Sequence, residues 1–269
     1  MNKINEAIHE LQSIDELAKR DQWMNRLHPL VKLFLTVFYI VLVVSFSRYR
    51  LPGLISMAVY PLILFQLGDL SFRDALRRLR IVLPVVCVVG IFNPFFDRTI
   101  VLQLGNVCVS GGVLSMLTLM LKAVLTVFSS YLLIATTPIE EICYALRLLH
   151  VPQIFVTELL LIYRYVTVLL AEAGRVTDAY SLRAPGQKGV AFRAWGPLLG
   201  QMLLRSVDRA EILYQSMCIR GFRGHFYYKR KKKGPAEDLV YLSAWILLLA
   251  LLRFFPVLEM VGNLFVPGV

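Results

Sequence analysis

The sequence predicts an all-α integral membrane protein of about five transmembrane helices, with a cytoplasmic insert of long helices before the last span. Three observations carry this reading. Hydrophobic residues make up 57% of the 269 positions and the mean hydropathy is +0.63, well beyond what a soluble domain of this length needs. The formal charge of +11 is uneven: basic residues gather in 73–80 and again from Arg164 to Lys233, while the long apolar runs carry few charges. That is the pattern of positive-inside sorting. Helix start and stop signals then bracket long stretches within 136–220, inside the more basic region.

In chain order, residues 1–29 are polar, with Ile4, Ile8, Leu11, Ile14 and Leu17 recurring every three or four positions. This predicts an amphipathic N-terminal arm, and its acidic content is unlike a cleaved signal peptide. A first span runs over about 30–46, with Lys32 placed to snorkel to the interface. Ser47-Arg48-Tyr49-Arg50 connects it to a second, about 51–67. Residues 69–80, carrying Arg73, Arg77, Arg78 and Arg80, read as a basic amphipathic turn of helix on the cytoplasmic face, which sets the N-terminus inside. A third span (81–96) contains Pro84, Gly90 and Pro94, an outer loop (97–112) has modest β character, and a fourth span covers 112–134. Its hydroxyl residues suit helix packing. Its single cation, Lys122, has no evident carboxylate partner and reads as a snorkelling or structural lysine.

Thr136-Thr137-Pro138-Ile139-Glu140-Glu141 reads as a helix start, with hydroxyl caps and acids in the first turn. That helix runs to about His150, a second from Val151-Pro152 to Arg183, and a third over about 192–220. The apolar half of the second, 154–170, resembles a further span. Glu158, Tyr163, Arg164 and Glu172 interrupt it, and crossing there would put the most basic part of the chain outside, so charge sorting keeps it cytoplasmic. Lys229-Arg230-Lys231-Lys232-Lys233 is a lipid anchor, and about 239–255 is the last span. The expected organisation is therefore 1–29 arm, 30–135 four-span bundle, 136–237 cytoplasmic helices, and 238–269 final span and tail.

Several chemistries are not supported. Cys87, Cys108, Cys143 and Cys218 form no close pair, so neither a disulfide framework nor a zinc site is indicated. His9, His28, His150 and His225 lie in different segments without ligand spacing. The sequence has no phosphate loop, nucleophile elbow or zinc-protease motif. No catalytic residue, cofactor, metal ligand or nucleic-acid partner is expected, and any energy source must lie on another chain.

Two positions echo each other: Leu182-Arg183-Ala184 before Pro185-Gly186, and Ile219-Arg220 before Gly221. A cation in a last helical turn complements the macrodipole by about 0.3–1 kcal/mol, which would account for either arginine alone. Their pairing at the ends of successive cytoplasmic helices points further. A small neighbour leaves a guanidinium free to fork onto a partner's carboxylate or carbonyls.

Together with His28-Pro29-Leu30-Val31-Lys32-Leu33, Thr136-Thr137-Pro138, residues 146–152, Tyr163-Arg164-Tyr165 and residues 204–210, these motifs resemble the transmembrane T component of energy-coupling-factor (ECF) ABC transporters. The match covers nearly the whole chain. Ile14-Asp15-Glu16-Leu17-Ala18 and the arginine-rich segment before Ala210 look most like the CbiQ branch, which serves cobalt or nickel uptake. The resemblance implies a non-catalytic cell-membrane subunit with two kinds of protein partner. Its Arg motifs would enter grooves on a pair of cytoplasmic ABC ATPases, and its coupling helices would cradle a separate substrate-binding membrane subunit. On this likeness the ATPase-coupling residues are Leu182, Arg183, Ala184, Ile219, Arg220 and Gly221. The first motif departs from the common Ala-Arg-Gly. A T component shared by vitamin-type ECF transporters, a self-sufficient permease and a membrane enzyme are the alternatives.

Overall fold

The computed structural model describes residues 2–20, 22–47, 51–96, 100–104, 107–187, 189–224, 226 and 235–254. Arg48 to Arg50, the basic run at 229–233 and the end of the chain from 255 lie outside them. Nearly all described residues are helical: α1 (Asn2–Ala18), α2 (Trp23–Arg26), α3 (Pro29–Val44), α4 (Leu51–Ser56), α5 (Val59–Leu67), α6 (Phe72–Phe96), α7 (Gly111–Thr136), α8 (Ile139–Leu148), α9 (Gln153–Arg183), α10 (Phe192–Ile219) and α11 (Pro235–Phe254). Between α6 and α7 the expected β character is a hairpin, β1 (Ile100–Leu104) and β2 (Val107–Ser110), paired antiparallel with Leu104 opposite Val107. The chain divides into two compact units. The first comprises residues 1–17 and 138–230, the second 18–137 and 231–269.

The second unit is built around α7, which packs on α3, α5 and α6. Its core holds Leu35, Tyr39, Tyr60, Phe65, Leu132 and Leu249. Tyr39 stacks on Tyr60 at 4.4 Å and Trp245 meets Tyr60 edge-on at 4.9 Å. Where α6 and α7 approach, a Cβ on Gly90 would sit 3.1 Å from Met116 Cγ. Nearby, Asn93 Nδ2 donates to Ser115 Oγ at 3.3 Å, joining α6 to α7 at one hydroxyl. Thr118 and Thr126 instead return their hydroxyls to the carbonyls of Leu114 and Lys122 on their own helix.

Four expectations are corrected. The second span, read as one helix over 51–67, is broken into α4 and α5. Pro61 has no N–H to give the Met57 carbonyl four residues back. That carbonyl is closed instead by the Tyr39 hydroxyl at 3.0 Å and the Tyr60 N–H at 3.3 Å. The basic turn and the third span are one uninterrupted helix, α6, with Pro84 inside it. The threonines before α8 do not cap it: its N-cap is Pro138, without a side-chain bond. Thr136 belongs to α7, and its hydroxyl bonds back to the Leu132 carbonyl.

Lys32 is the fourth. It does not snorkel; it is 6% exposed, and its Nζ donates to the Thr136 carbonyl at the end of α7 (2.9 Å). Lys122 of α7 does the converse, donating to the Val44 and Phe46 carbonyls at the end of α3 (2.9 and 2.6 Å). The last carbonyls of a helix lack internal partners and attract cations. Two antiparallel helices thus each supply the lysine that closes the other's end. Arg253 of α11 joins at α3, donating to the Ser45 carbonyl at 3.2 Å and lying 3.9 Å over the Phe46 ring. A structural role for Lys122 is therefore explained by carbonyls, with no carboxylate needed.

Candidate functional site

The first unit carries both arginine motifs on α9 and α10. The start of α9 is prepared locally. His150, in the left-handed region at φ 62°, closes α8: its N–H reaches the Arg147 carbonyl, and that of Val151 reaches Leu146. This is the paired bonding of a Schellman end. Pro152 then stands as the N-cap of α9.

α9 is one helix of 31 residues, as the sequence pattern predicts. Like α7, it is long and apolar enough to cross a membrane. Glu172 ties α9 to α10 by an ion pair with Arg205 and also bonds Arg175 one turn on. Tyr163 donates to Asp15 Oδ1 of α1 at 3.2 Å. α10 has no buried residue, and Leu199, Leu203 and Val207, spaced four apart, stay more than half exposed. These three side chains form an apolar stripe that is uncovered among the described residues.

Arg183 is the last residue of α9 and Ala184 its C-cap. Pro185 and Gly186 (φ 93°) form a turn closed by Gln187 N–H to the Ala184 carbonyl at 3.3 Å. Proline followed by a positive-φ glycine is the type II pattern. Tyr180 holds the turn from within: its hydroxyl bonds Gln187 Oε1 at 3.0 Å and receives the Ala191 N–H at 3.5 Å.

Arg220 stands one position later than expected, as the C-cap of α10 rather than in its last turn. Gly221, at φ 81°, donates to the Cys218 carbonyl at 2.9 Å, and Phe222 N–H to Met217 at 3.0 Å. This is again a Schellman end, here with its usual glycine. The following segment folds back: the Phe222 and Phe226 rings lie 5.2 Å apart, and Arg147 Nη1 holds the Phe226 carbonyl at 3.1 Å. A groove of ≈270 Å³ opens there, lined among others by Arg164, Leu213, Met217 and Arg220.

The six residues singled out by sequence thus lie at two separate helix ends of one unit. Arg183 and Arg220 are exposed, and their apolar neighbours protrude, Leu182 being 82% and Ile219 88% exposed. Among the described residues, neither guanidinium makes a hydrogen bond or ion pair. Sequence reasoning missed Arg147, Tyr180 and Phe226, which fix these ends through contacts 79 residues apart in one case. Only the Glu172–Arg175 pair, three apart on a helix, had a local signal.

Sequence comparison finds several related proteins. The nickel permease LarQ of Lactiplantibacillus plantarum is 29% identical over 116 residues, 42% of each chain. The energy-coupling factor transporter transmembrane protein EcfT of Leuconostoc gelidum is 27% identical over 232 residues, covering 78% of this chain and 83% of its own. The protein of the same name from Listeria innocua is 26% identical over 227 residues, 76% of this chain and 82% of its own. The family model described as CbiQ, cobalt transport protein, matches residues 20–232. With long apolar helices and this match over most of its length, the chain is a membrane protein and belongs to the CbiQ cobalt transport protein family.

Proposed function

We propose that this chain is the transmembrane coupling subunit of an ECF-type ABC importer for cobalt or nickel. It passes ATP-driven motion of two cytoplasmic ATPases to a separate substrate-binding membrane subunit. The observation that carries the reading is the pair of outward-facing arginines, each beside a protruding apolar residue, at the ends of α9 and α10. Each Arg motif seats in one ATPase: Leu182, Arg183 and Ala184 in one, Ile219, Arg220 and Gly221 in the other. The uncovered apolar stripe of α10 faces the substrate-binding subunit. Five spans, with α8, α9 and α10 on the cytoplasmic side and the N-terminus inside, keep the two main basic clusters inside, while Arg48 and Arg50 fall on the outer side against the trend.

The double variant Arg183→Ala plus Arg220→Ala is expected to lose the ATPases while remaining folded in the membrane. Recovery of both ATPases at wild-type yield through a tag on the variant would sink the proposal. Sidedness is read separately from Cys218, which is exposed next to Ile219. In a variant keeping only that cysteine, a membrane-impermeant maleimide should react in inverted vesicles and not in intact cells. Labelling of intact cells would place α9 across the membrane.

A second reading has its own support: the EcfT relatives cover 78% and 76% of this chain, LarQ 42%. On that basis the chain would be a T component shared among vitamin-type substrate subunits. Co-purification separates the two, one dedicated membrane partner favouring the metal reading and several interchangeable ones the shared T component.

A further inference from the structure

We propose that the groove beside Arg220 receives an acidic side chain of the ATPase partner, gripped between Arg164 and Arg220 with an apolar neighbour against Leu213, Met217 and Phe222. This rests on the reading of Arg220 as an ATPase contact and adds a receiving site to it. The coupling subunit would then accept a partner residue at this end as well as inserting its own.

The groove is formed before any partner arrives. Gly221 and Phe222 lock its rim by their bonds to Cys218 and Met217, and Arg147 holds its far wall at Phe226. A preformed concavity spares the ordering cost of binding. Its lining joins two arginines to mostly apolar residues, with no acidic residue among them. Guanidinium is weakly hydrated and presents a planar fork, so it suits a carboxylate in a partly apolar setting. Arg164 also borders a concavity containing Asp15 and Glu140. No ion pair joins it to either among the described residues, so it is not committed there. The occupant belongs to the ATPase because Ile219, 88% exposed on the same turn, is the residue that partner must cover.

The test uses the co-expressed complex, measuring ATPase recovered through a tag on this chain. Arg164→Glu is expected to lower recovery at least about tenfold, a change of roughly 1.4 kcal/mol, and Arg164→Lys by less. Leu213→Trp fills the groove without changing charge and should lower recovery about as much. Folding of the first unit is followed at Cys143. It is buried, and burial, then the Glu140 carboxylate, pushes its thiol up to about 11, so it resists maleimide until α8 unfolds. Wild-type recovery by Leu213→Trp, with Cys143 still protected, overturns the proposal even if Arg164→Glu is impaired. It then leaves Arg220 as a contact without a groove. Wild-type recovery by Arg220→Ala overturns the underlying reading as well. If Arg164→Glu exposes Cys143, the decision passes to Leu213→Trp. Recovery that tracks added anionic phospholipid instead of Arg164 assigns the groove to a lipid headgroup and likewise overturns it.

Discussion

Lysines from a facing helix reach the ends of α3 and α7 in one unit, while α9 and α10 in the other are closed by backbone alone. In the second unit, α3 and α7 finish on carbonyls that a lysine from the opposite helix must reach, and Lys32 and Lys122 are consumed in doing so. In the first unit, backbone N–H groups beyond α9 and α10 return to their last turns, at Ala184 for α9 and at Gly221 and Phe222 for α10. The arginines there are left without that task. A cation at a helix terminus is ordinarily explained by capping, and the first unit removes much of the need for that explanation. What is spent on packing in one region is left for contact in the other.

The largest effect should come from breaking the inward closure. Lys32→Met keeps the bulk of a buried stem and strips the Thr136 carbonyl of its donor. A buried acceptor left unsatisfied costs about 1–3 kcal/mol. The thermal unfolding midpoint in detergent should fall clearly. An unchanged midpoint would mean that Lys32 does not support α7, and the contrast would lose one side.

Next comes the glycine end. Gly221 sits at φ 81°, and a Cβ added there would meet nothing within 4 Å, so the cost of substitution is conformational rather than steric. Gly221→Val should cost about 1–2 kcal/mol for a side chain forced left-handed and loosen the groove at Arg220, with Gly221→Asn milder. Limited proteolysis between Ile219 and Phe226 measures it. Equal resistance in all three proteins would show that the Schellman bonds do not hold this end. Tyr180→Phe is the matching change at α9. Losing the bonds to Gln187 and Ala191 should cost about 0.5–1.5 kcal/mol, less than the glycine change. Loss of Arg183 presentation without any effect on Arg220 would show that the two ends are built independently.

Much of this contrast is legible in the sequence, unevenly. Pro185-Gly186 and Gly221 announce both stops because only certain residues tolerate those dihedrals. The long apolar runs announce the helices, and the β character before α7 is visible too. The break between α4 and α5 is harder to see, though Pro61 marks it, because membrane helices often tolerate proline when neighbours satisfy the freed carbonyl; here the neighbour is Tyr39. The destinations of Lys32, Lys122 and Arg147 lie 104, 78 and 79 residues away, and no local periodicity carries such information. Lys32 misleads for that reason: a lysine near the end of a span normally has water within reach, and only the tertiary fold shows the carbonyl that replaces it.

The smallest expected effect on stability is the most telling. Arg220→Ala removes a cation from a helix terminus whose final carbonyls at Cys218 and Met217 already have backbone donors. What remains is the macrodipole interaction of an exposed charge, about 0.3 kcal/mol at the low end of its range and screened by salt. The unfolding midpoint should therefore barely move, and raising the ionic strength should erase the difference. The ATPases should nevertheless be lost from that end, because Ile219 protrudes beside an arginine with no partner of its own among the described residues. If Arg220→Ala instead lowers stability by about 1 kcal/mol or more, the upper reach of a capping cation, then the arginine is closing its helix as Lys122 closes α3. The two units would end their helices in the same way, and the case for partner contact would fall to Arg183, whose Pro185 provides no N–H for the last turn of α9.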